Sequence, residues 1–483
     1  MKNKSIKKNA VLNTIKSLLA VIFPLISFPY VSSVLGVESL GKYNFSLSVI
    51  SYFLLIAGLG ISTYAIREGS AIKYDQEKIN RFSSQMITIN VITTVLTYLM
   101  FFVSILFVPK FQNYTLLLLI FSVEIIFTTI GAEWIFIIFE EYSYITIRRI
   151  SVQVISLVLL FLLVKKPEDV WIYALITVIA NAGANIFNLF RMKKYVKIRP
   201  TLKLNLRKHI VPILIIFASS VAIKVYTSSD TIMLGFLKGD IEVGIYSVAV
   251  KIYNVVKPLL TAILTVAIPR LGFLYGNNKY IEYKELLNKI FQCLLIIVLP
   301  AVSGLFLLSK ETILLISNVN YIDASPSLKI LSVAIVFSTL SCFFNQCVLI
   351  PQKKEKVFLI ATVVSAVANI VLNYVLIIFL NNVGAAIATL IAEFISMVIC
   401  WVGSRKQLDV KTNLINLISV FFGCVAIAAV CICFNYVISS NTVLRFLMSV
   451  MCSVVIYAII LLLFRNKVVM SIIHSIFLKF KRS

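Results

Sequence analysis

The segment RMKKYVKIRPTLKLNLRKH, residues 191–209, carries eight Lys and Arg and no acid. Directly before it stands WIYALITVIANAGANIFNLF (171–190) and directly after it IVPILIIFASSVAIKVYTSS (210–229). A run of about 20 mostly apolar residues is long enough to cross a bilayer as a helix. A strongly basic stretch between two such runs reads as a loop held on the cytoplasmic face. The same alternation continues outward in both directions. Toward the N-terminus, apolar runs lie at about 10–35, 43–66, 83–108, 114–138, 145–164 and 168–190. Toward the C-terminus they lie at about 210–237, 243–269, 286–308, 327–350, 357–380, 383–402, 413–438 and 442–464. The expected fold is all-α integral membrane with about fourteen transmembrane helices.

Composition agrees. Of 483 residues 60% are hydrophobic and 13% charged, with a mean hydropathy of +0.99, where a soluble domain carries roughly 25% charged residues. The net charge of +25 would suggest nucleic acid on a soluble protein. Here the cations sit in short loops, which points to the anionic inner face of a membrane. Alternate loops hold 33 Lys and Arg on one side and 6 on the other, so both termini are expected in the cytoplasm. The apolar stretch after MKNKSIKKNA runs past Val34 without an A-x-A cleavage site and reads as a retained first helix.

The basic segment separates six helices from eight, and a faint internal echo crosses it. Leu35-Gly36 is followed by Leu40-Gly41-Lys42-Tyr43, and Leu234-Gly235 by Val243-Gly244-Ile245-Tyr246. Transporters are commonly built from two related halves with the substrate site at the repeat interface. The expected organisation is therefore a six-helix lobe at 1–190, a linker at 191–209, a second six-helix lobe at 210–402, and helices 13 and 14 with a basic tail at 403–483.

Eight charges lie deep in apolar runs: Lys16, Lys224, Lys251 and Lys257, and Glu124, Glu133, Asp230 and Glu393. Each costs roughly 2.5–3.5 kcal/mol at the bilayer centre even on the insertion scale, so each needs a partner, water or a function. Four cations and four acids fit structural ion pairs between helices. They also fit a hydrated cavity for an anionic substrate, with acids carrying a coupling ion. Lys251, Asn254 and Lys257 fall within an arc of about 120° on one helix, an arrangement suited to phosphate. Lys224 and Asp230 diverge too far on their helix to pair readily with each other, and Glu124 and Glu133 point to opposite sides of theirs. Lys329 and Arg445, near helix ends, are expected to snorkel. Pro24, Pro29, Pro212, Pro258 and Pro269 each remove a backbone donor and permit a bend.

The eight cysteines all lie in apolar runs without a CxxC or Cys/His cluster, so neither a metal site nor a disulfide framework is expected. His209 and His474 sit in basic segments, which suggests interfacial positions. No P-loop, GxSxG, HExxH or paired catalytic carboxylates are found, so no catalytic residue and no cofactor are expected.

Four stretches carry a resemblance: PYVSSVLGVESLGKYNFSLSVISYFLLIAGLGISTYAIRE (29–68), EWIFIIFEEYSYITIRR (133–149), SSDTIMLGFLKGDIEVGIYSVAVKIYNVV (228–256) and VGAAIATLIAEF (383–394). In order along the chain they resemble Wzx-type polysaccharide repeat-unit flippases of the multidrug/oligosaccharidyl-lipid/polysaccharide exporter superfamily. The resemblance implies a two-lobed bundle that moves an undecaprenyl-pyrophosphate-linked oligosaccharide between leaflets of the bacterial cytoplasmic membrane. It also implies a cationic cavity, onto which Lys16, Arg67, Lys224, Lys251 and Lys257 fall, joined by Asn254. Asp230, Glu124, Glu133 and Glu393 are the candidates for ion coupling. The expected partners are the lipid-linked substrate, membrane lipids and the polysaccharide polymerase and chain-length machinery, with no nucleic acid. A lipid II flippase and a multidrug exporter of the same superfamily are the rival readings, although an organic-cation cavity should be dominated by acids. A membrane polysaccharide polymerase would need a large external loop with Arg and His, which the sequence lacks.

Overall fold

The computed structural model describes residues 6–201, 204–405, 414–438 and 441–471, with side chains from Ile22 onward. By internal packing the chain divides into two units, residues 1–244 and 245–483. Among the described residues every regular element is helical and no metal-ligand cluster occurs. In hydrocarbon a helix satisfies its own peptide groups, which an open strand cannot do. Among the described residues twelve helical segments are long and apolar enough to cross a membrane. Their surfaces are apolar where exposed, as at Phe107 and Val266, because lipid rather than water is the solvent.

Unit 1 contains α1 (Ile6–Gly58), α2 (Ile61–Ile72), α3 (Gln76–Phe107), α4 (Pro109–Gln112), α5 (Thr115–Gly131), α6 (Glu133–Ile138), α7 (Tyr142–Leu163), α8 (Val170–Ala182), α9 (Ile186–Arg191) and α10 (Leu206–Leu237). A further helix, α11 (Asp240–Gly276), begins in unit 1 and continues into unit 2. Helix α1 is 53 residues long and is broken at Gly36, whose φ of 71° suits a residue without Cβ. Asp75 caps α3 by accepting the Lys78 N–H at 3.0 Å.

From residue 37 onward α1 runs antiparallel to the chain from 216 to 244. Gly60 meets Ile216 and Phe217, Gly235 meets the Phe45 ring, Gly41 meets the Asp240 carbonyl, and Gly244 meets the Val37 carbonyl. The last two contacts are reciprocal. Each glycine lies against the carbonyl four residues before the other, and a Cβ at either position would overlap that carbonyl. The two halves of the sequence echo therefore pack on each other, through the close backbone approach that small residues allow in membranes. Tyr114 donates to Asp240 Oδ1 at 2.5 Å beside this crossing, and the Lys110 ammonium donates to the Gly235 carbonyl.

The basic segment is docked rather than loose. Met192, Tyr195 and Val196 are buried in a core with Tyr64, Phe82, Trp134 and Phe136. Gln76 donates to the Tyr195 carbonyl at 2.9 Å, Lys197 N–H to Asn80 Oδ1 at 2.8 Å, and Arg199 N–H to Ser84 Oγ at 3.0 Å. Burial and a 2.6 Å hydrogen bond to Glu141 push the Tyr195 phenol up to about 12. His209, expected at an interface, is buried between Tyr64 and Gln85 at 2.8 and 3.2 Å. His474 lies outside the described residues.

Unit 2 contains the rest of α11, then α12 (Tyr280–Leu307), α13 (Ser309–Ile316), α14 (Ser325–Phe343) with a π-helical turn at Phe344–Leu349, α15 (Glu355–Ser404), α16 (Leu414–Val437) and α17 (Thr442–Leu463). Helix α15 has 50 residues and a break at Asn381, where φ is 52°. A continuous helix would separate residues eight apart by about 12 Å. Instead a Cβ on Gly384 would strike the Leu376 carbonyl, so the chain folds back at this point. Helix α15 packs on α14 through small and polar residues, with Ser341 and Ser396 hydroxyls 2.9 Å apart and Ala385, Ala388 and Ala392 buried. Helices α10 and α11 run on through Pro212, Pro258 and Pro269. All eight cysteines are free thiols.

The reciprocal glycine contact makes a quantitative prediction. Gly41→Ala and Gly244→Ala should each lower the melting temperature of the detergent-solubilised protein, because a backbone carbonyl has to move. Gly58→Ala meets nothing within 4 Å and should be neutral or stabilising by up to about 1 kcal/mol. Equal melting temperatures for all three variants would contradict the crossing.

Candidate functional site

Lys257 and Glu393, a candidate substrate cation and a candidate coupling acid, come together in unit 2. Lys257 Nζ lies 2.9 Å from Glu393 Oε1, and the Glu393 side chain is 5% exposed. Tyr253, one helical turn before Lys257, donates to the same carboxylate oxygen at 2.7 Å and accepts from Lys257 Nζ at 3.2 Å. A buried carboxylate is thus met by an ammonium and a phenol, which compensates its desolvation. Sequence reasoning named both ends of the pair separately and missed Tyr253. Its position four residues before Lys257 on one helix face was the available signal.

Lys251 and Asn254 flank this triad on α11, Lys251 half-buried and Asn254 exposed. The shared arc holds as a helical register, but Lys257 reaches inward to α15.

In unit 1, Glu133 is engaged by Arg148 at 2.7 Å, and the Arg148 side chain is 6% exposed. Arg148 also donates to the Ala184 carbonyl at 3.2 Å. The run expected as one helix over 114–138 is interrupted at Ala132, which has a φ of 37°. Glu133 therefore opens α6, and its direction relative to Glu124 cannot be read from a single helical wheel. Glu124 remains within α5, half-buried, with Oε2 enclosed and lacking a hydrogen bond among the described residues.

Asp230 is buried on α10 and Lys224 is half-buried on the same helix. Among the described residues the Lys224 ammonium makes no ion pair or hydrogen bond. Arg67 is exposed on α2, 3.0 Å from Glu68 and stacked over Tyr64 at 5.6 Å. The side chain of Lys16 lies outside the described residues. Arg445 does not snorkel. Its guanidinium is drawn inward by Glu311, 3.0 Å away on α13, and the two side chains are 13% and 8% exposed. Both this pair and the Arg148 pair escaped the sequence reading because Glu311 and Arg148 lie in segments expected to be loops or their edges.

Comparison with known proteins adds to this geometry. Residues 6–274 match a family model described as polysaccharide biosynthesis protein, and residues 216–375 match a second model, MatE. The chain is 24% identical over 412 residues to a candidate O-antigen transporter of Escherichia coli K12, covering 85% of this chain and 97% of that one. It is 24% identical over 371 residues to the capsular polysaccharide biosynthesis protein CapF of Staphylococcus aureus, covering 75% and 89%. Among solved structures, the lipid II flippase MurJ in an inward closed conformation superposes with a TM-score of 0.76 at 18% identity, over 95% of this chain and all of that one. An inward-facing multidrug resistance MATE transporter superposes with a TM-score of 0.60 at 15% identity, over 83% and 98%. The superpositions establish a shared fold.

The triad predicts a pattern of loss and rescue. Lys257→Gln strands the Glu393 carboxylate and should cost about 3–5 kcal/mol, lowering the amount of folded protein in membranes. The exchange Lys257→Glu with Glu393→Lys should restore much of it. Fluorescence-detected size exclusion of a tagged protein measures both, and full abundance of the single variant would show that the pair does not hold the helices.

Proposed function

The chain belongs to the polysaccharide biosynthesis protein family, and from that premise we propose that it is a flippase for an undecaprenyl-pyrophosphate-linked oligosaccharide repeat unit in surface polysaccharide assembly. It acts as a multi-pass transporter of the bacterial cytoplasmic membrane rather than as an enzyme, by ion-coupled alternating access. The polysaccharide polymerase and chain-length machinery are its proposed neighbours. The O-antigen and capsular relatives support this substrate class.

The observation that carries the reading is Lys224, an ammonium within a long apolar helix with no ion pair or hydrogen bond among the described residues. A cation so placed is costly unless an anion or water meets it. Lysine attracts the oxygens of a pyrophosphate as a point charge, without the fixed geometry of an arginine fork. That suits a carrier that must release its cargo. Lys251, Asn254 and Lys257 on α11, with Arg67 and Lys16 in unit 1, are proposed as further cations and amides along the substrate's course. Asp230 and Glu124 are the proposed ion-coupling acids. Glu133 and Glu393 are already held by Arg148 and Lys257, and that neutralisation argues against a site for organic cations.

The proposed topology has fourteen crossings, with the broken helices α1 and α15 each counted twice, and both termini in the cytoplasm. Residues 1–190 and 210–402 are the proposed related lobes, with 403–483 appended. Reporter fusions at the C-terminus and within 200–205 should then read cytoplasmic, and one at Asn318 external. Opposite readings from the first two would mean an odd number of crossings between them.

Function is tested in a strain lacking its own repeat-unit flippase but carrying the matching glycosyltransferases. Expression of this chain should restore surface polysaccharide. Lys224→Gln combined with Lys251→Gln should cut polysaccharide per unit of folded protein at least tenfold, roughly the effect of losing 1.4 kcal/mol of binding. Unchanged export by the double variant would remove these lysines from the substrate's course.

A further inference from the structure

A second concentration of positive charge lies in unit 2. The ends of α12 and α16 and the starts of α13, α14 and α17 line a cavity of about 260 Å³. Lys310, Lys329 and Arg445 line it with a single acid, Glu311, and its wall includes Asn435 and Ile432. Arg445 gives one nitrogen to Asn435 Oδ1 at 3.0 Å and another to Glu311 Oε1 at 3.0 Å. Its Nε is enclosed and has no hydrogen-bond partner among the described residues. One of the three cations is thus neutralised, which leaves two positive charges in excess.

We propose that this cavity binds the phosphate group of an anionic membrane lipid. Helix α13 packs against α17 at this end of the unit, the non-cytoplasmic end in the proposed topology. For its sidedness alone the inference rests on that topology. On that side the chain keeps very few cations, so three gathered around one cavity run against the general charge asymmetry. Lysines near a membrane surface attract anionic headgroups.

The surroundings favour a lipid over a soluble anion. Phe306, Ile432 and Leu444 are exposed beside the opening, giving acyl chains an apolar surface. Lys329 Nζ lies 5.8 Å above the Phe306 ring, at the junction of polar and apolar walls. The cavity falls below the roughly 300–1,000 Å³ typical of pockets for drug-sized ligands, so it fits a headgroup rather than a sugar chain. A phosphate there would bridge Lys310 and Arg445, on α13 and α17, and so tie the last helix pair to the rest of unit 2.

The test uses the full-length protein in detergent, titrated with phosphatidylglycerol or phosphatidylcholine and read by native mass spectrometry. Wild type should retain phosphatidylglycerol at least tenfold more tightly than phosphatidylcholine. Lys310→Gln with Lys329→Gln should weaken phosphatidylglycerol about tenfold and leave phosphatidylcholine unchanged. Both lysines are exposed, so an unchanged melting temperature for the variant verifies that its fold is intact. Equal phosphatidylglycerol binding by wild type and variant would overturn the site. Displacement of the lipid by equimolar inorganic phosphate would assign the cavity to a free anion and overturn the lipid. Neither readout depends on transport or on membrane orientation, so failure here is distinct from failure of the flippase reading.

Discussion

Two carbonyl oxygens, those of Val37 and Asp240, sit where side chains would normally be, and only glycine at positions 244 and 41 leaves room for them. In lipid no hydrophobic effect draws helices together, because the solvent is as apolar as their surfaces. Close backbone approach, dispersion and a few interior hydrogen bonds have to hold the bundle instead. The reciprocal glycine contact fixes the register of α1 against the chain entering α11. The matched spacings of Gly60 with Ile216 and Gly235 with Phe45 follow from that register. Tyr114 and Lys110 then complete the acceptors of Asp240 and Gly235 that the crossing would otherwise leave dry.

The apolar spans were legible because hydrocarbon imposes one length and one secondary structure on every crossing. The breaks were partly legible. Gly36 and the Leu380–Val383 gap fall between expected helices, whereas Ala132 lies inside the run expected as one helix over 114–138. The Leu-Gly echo was visible as a repeat, but a repeat does not announce that its two copies touch. The basic segment 191–209 looked like a solvated linker, since composition alone cannot reveal that Tyr195 and Val196 are buried and that Asn80 and Ser84 accept from its backbone.

The charge pairs were the least legible part. Lys257 and Glu393 are separated by 136 positions and Arg445 and Glu311 by 134, and no local periodicity links residues on different helices. Counting deep charges gave a balanced inventory without saying who meets whom. The count also missed half of the players. Glu311 lay outside the expected spans, Arg148 stood at the edge of the run at 145–164, and Tyr253 is uncharged yet supplies a hydrogen bond to the same carboxylate oxygen as Lys257.

Pairing sorts the cations by what they can do. A buried ion pair contributes little net stability relative to a well-packed apolar core, but breaking it is costly, so such pairs specify arrangement more than they strengthen it. The Lys257 pair joins helices far apart in sequence, α11 with α15, and the Arg148 pair ties α7 to the neighbouring α6. An ammonium bound to a carboxylate offers reduced attraction to a phosphate, because the acid repels the incoming anion. Lys224, without a carboxylate beside it among the described residues, keeps its full field. The same reasoning applied to Arg445 leaves Lys310 and Lys329 as the cations with charge to offer at the cavity of unit 2. A transporter of anions that must also stay folded in lipid therefore needs both kinds of cation, and its sequence gives them the same letters.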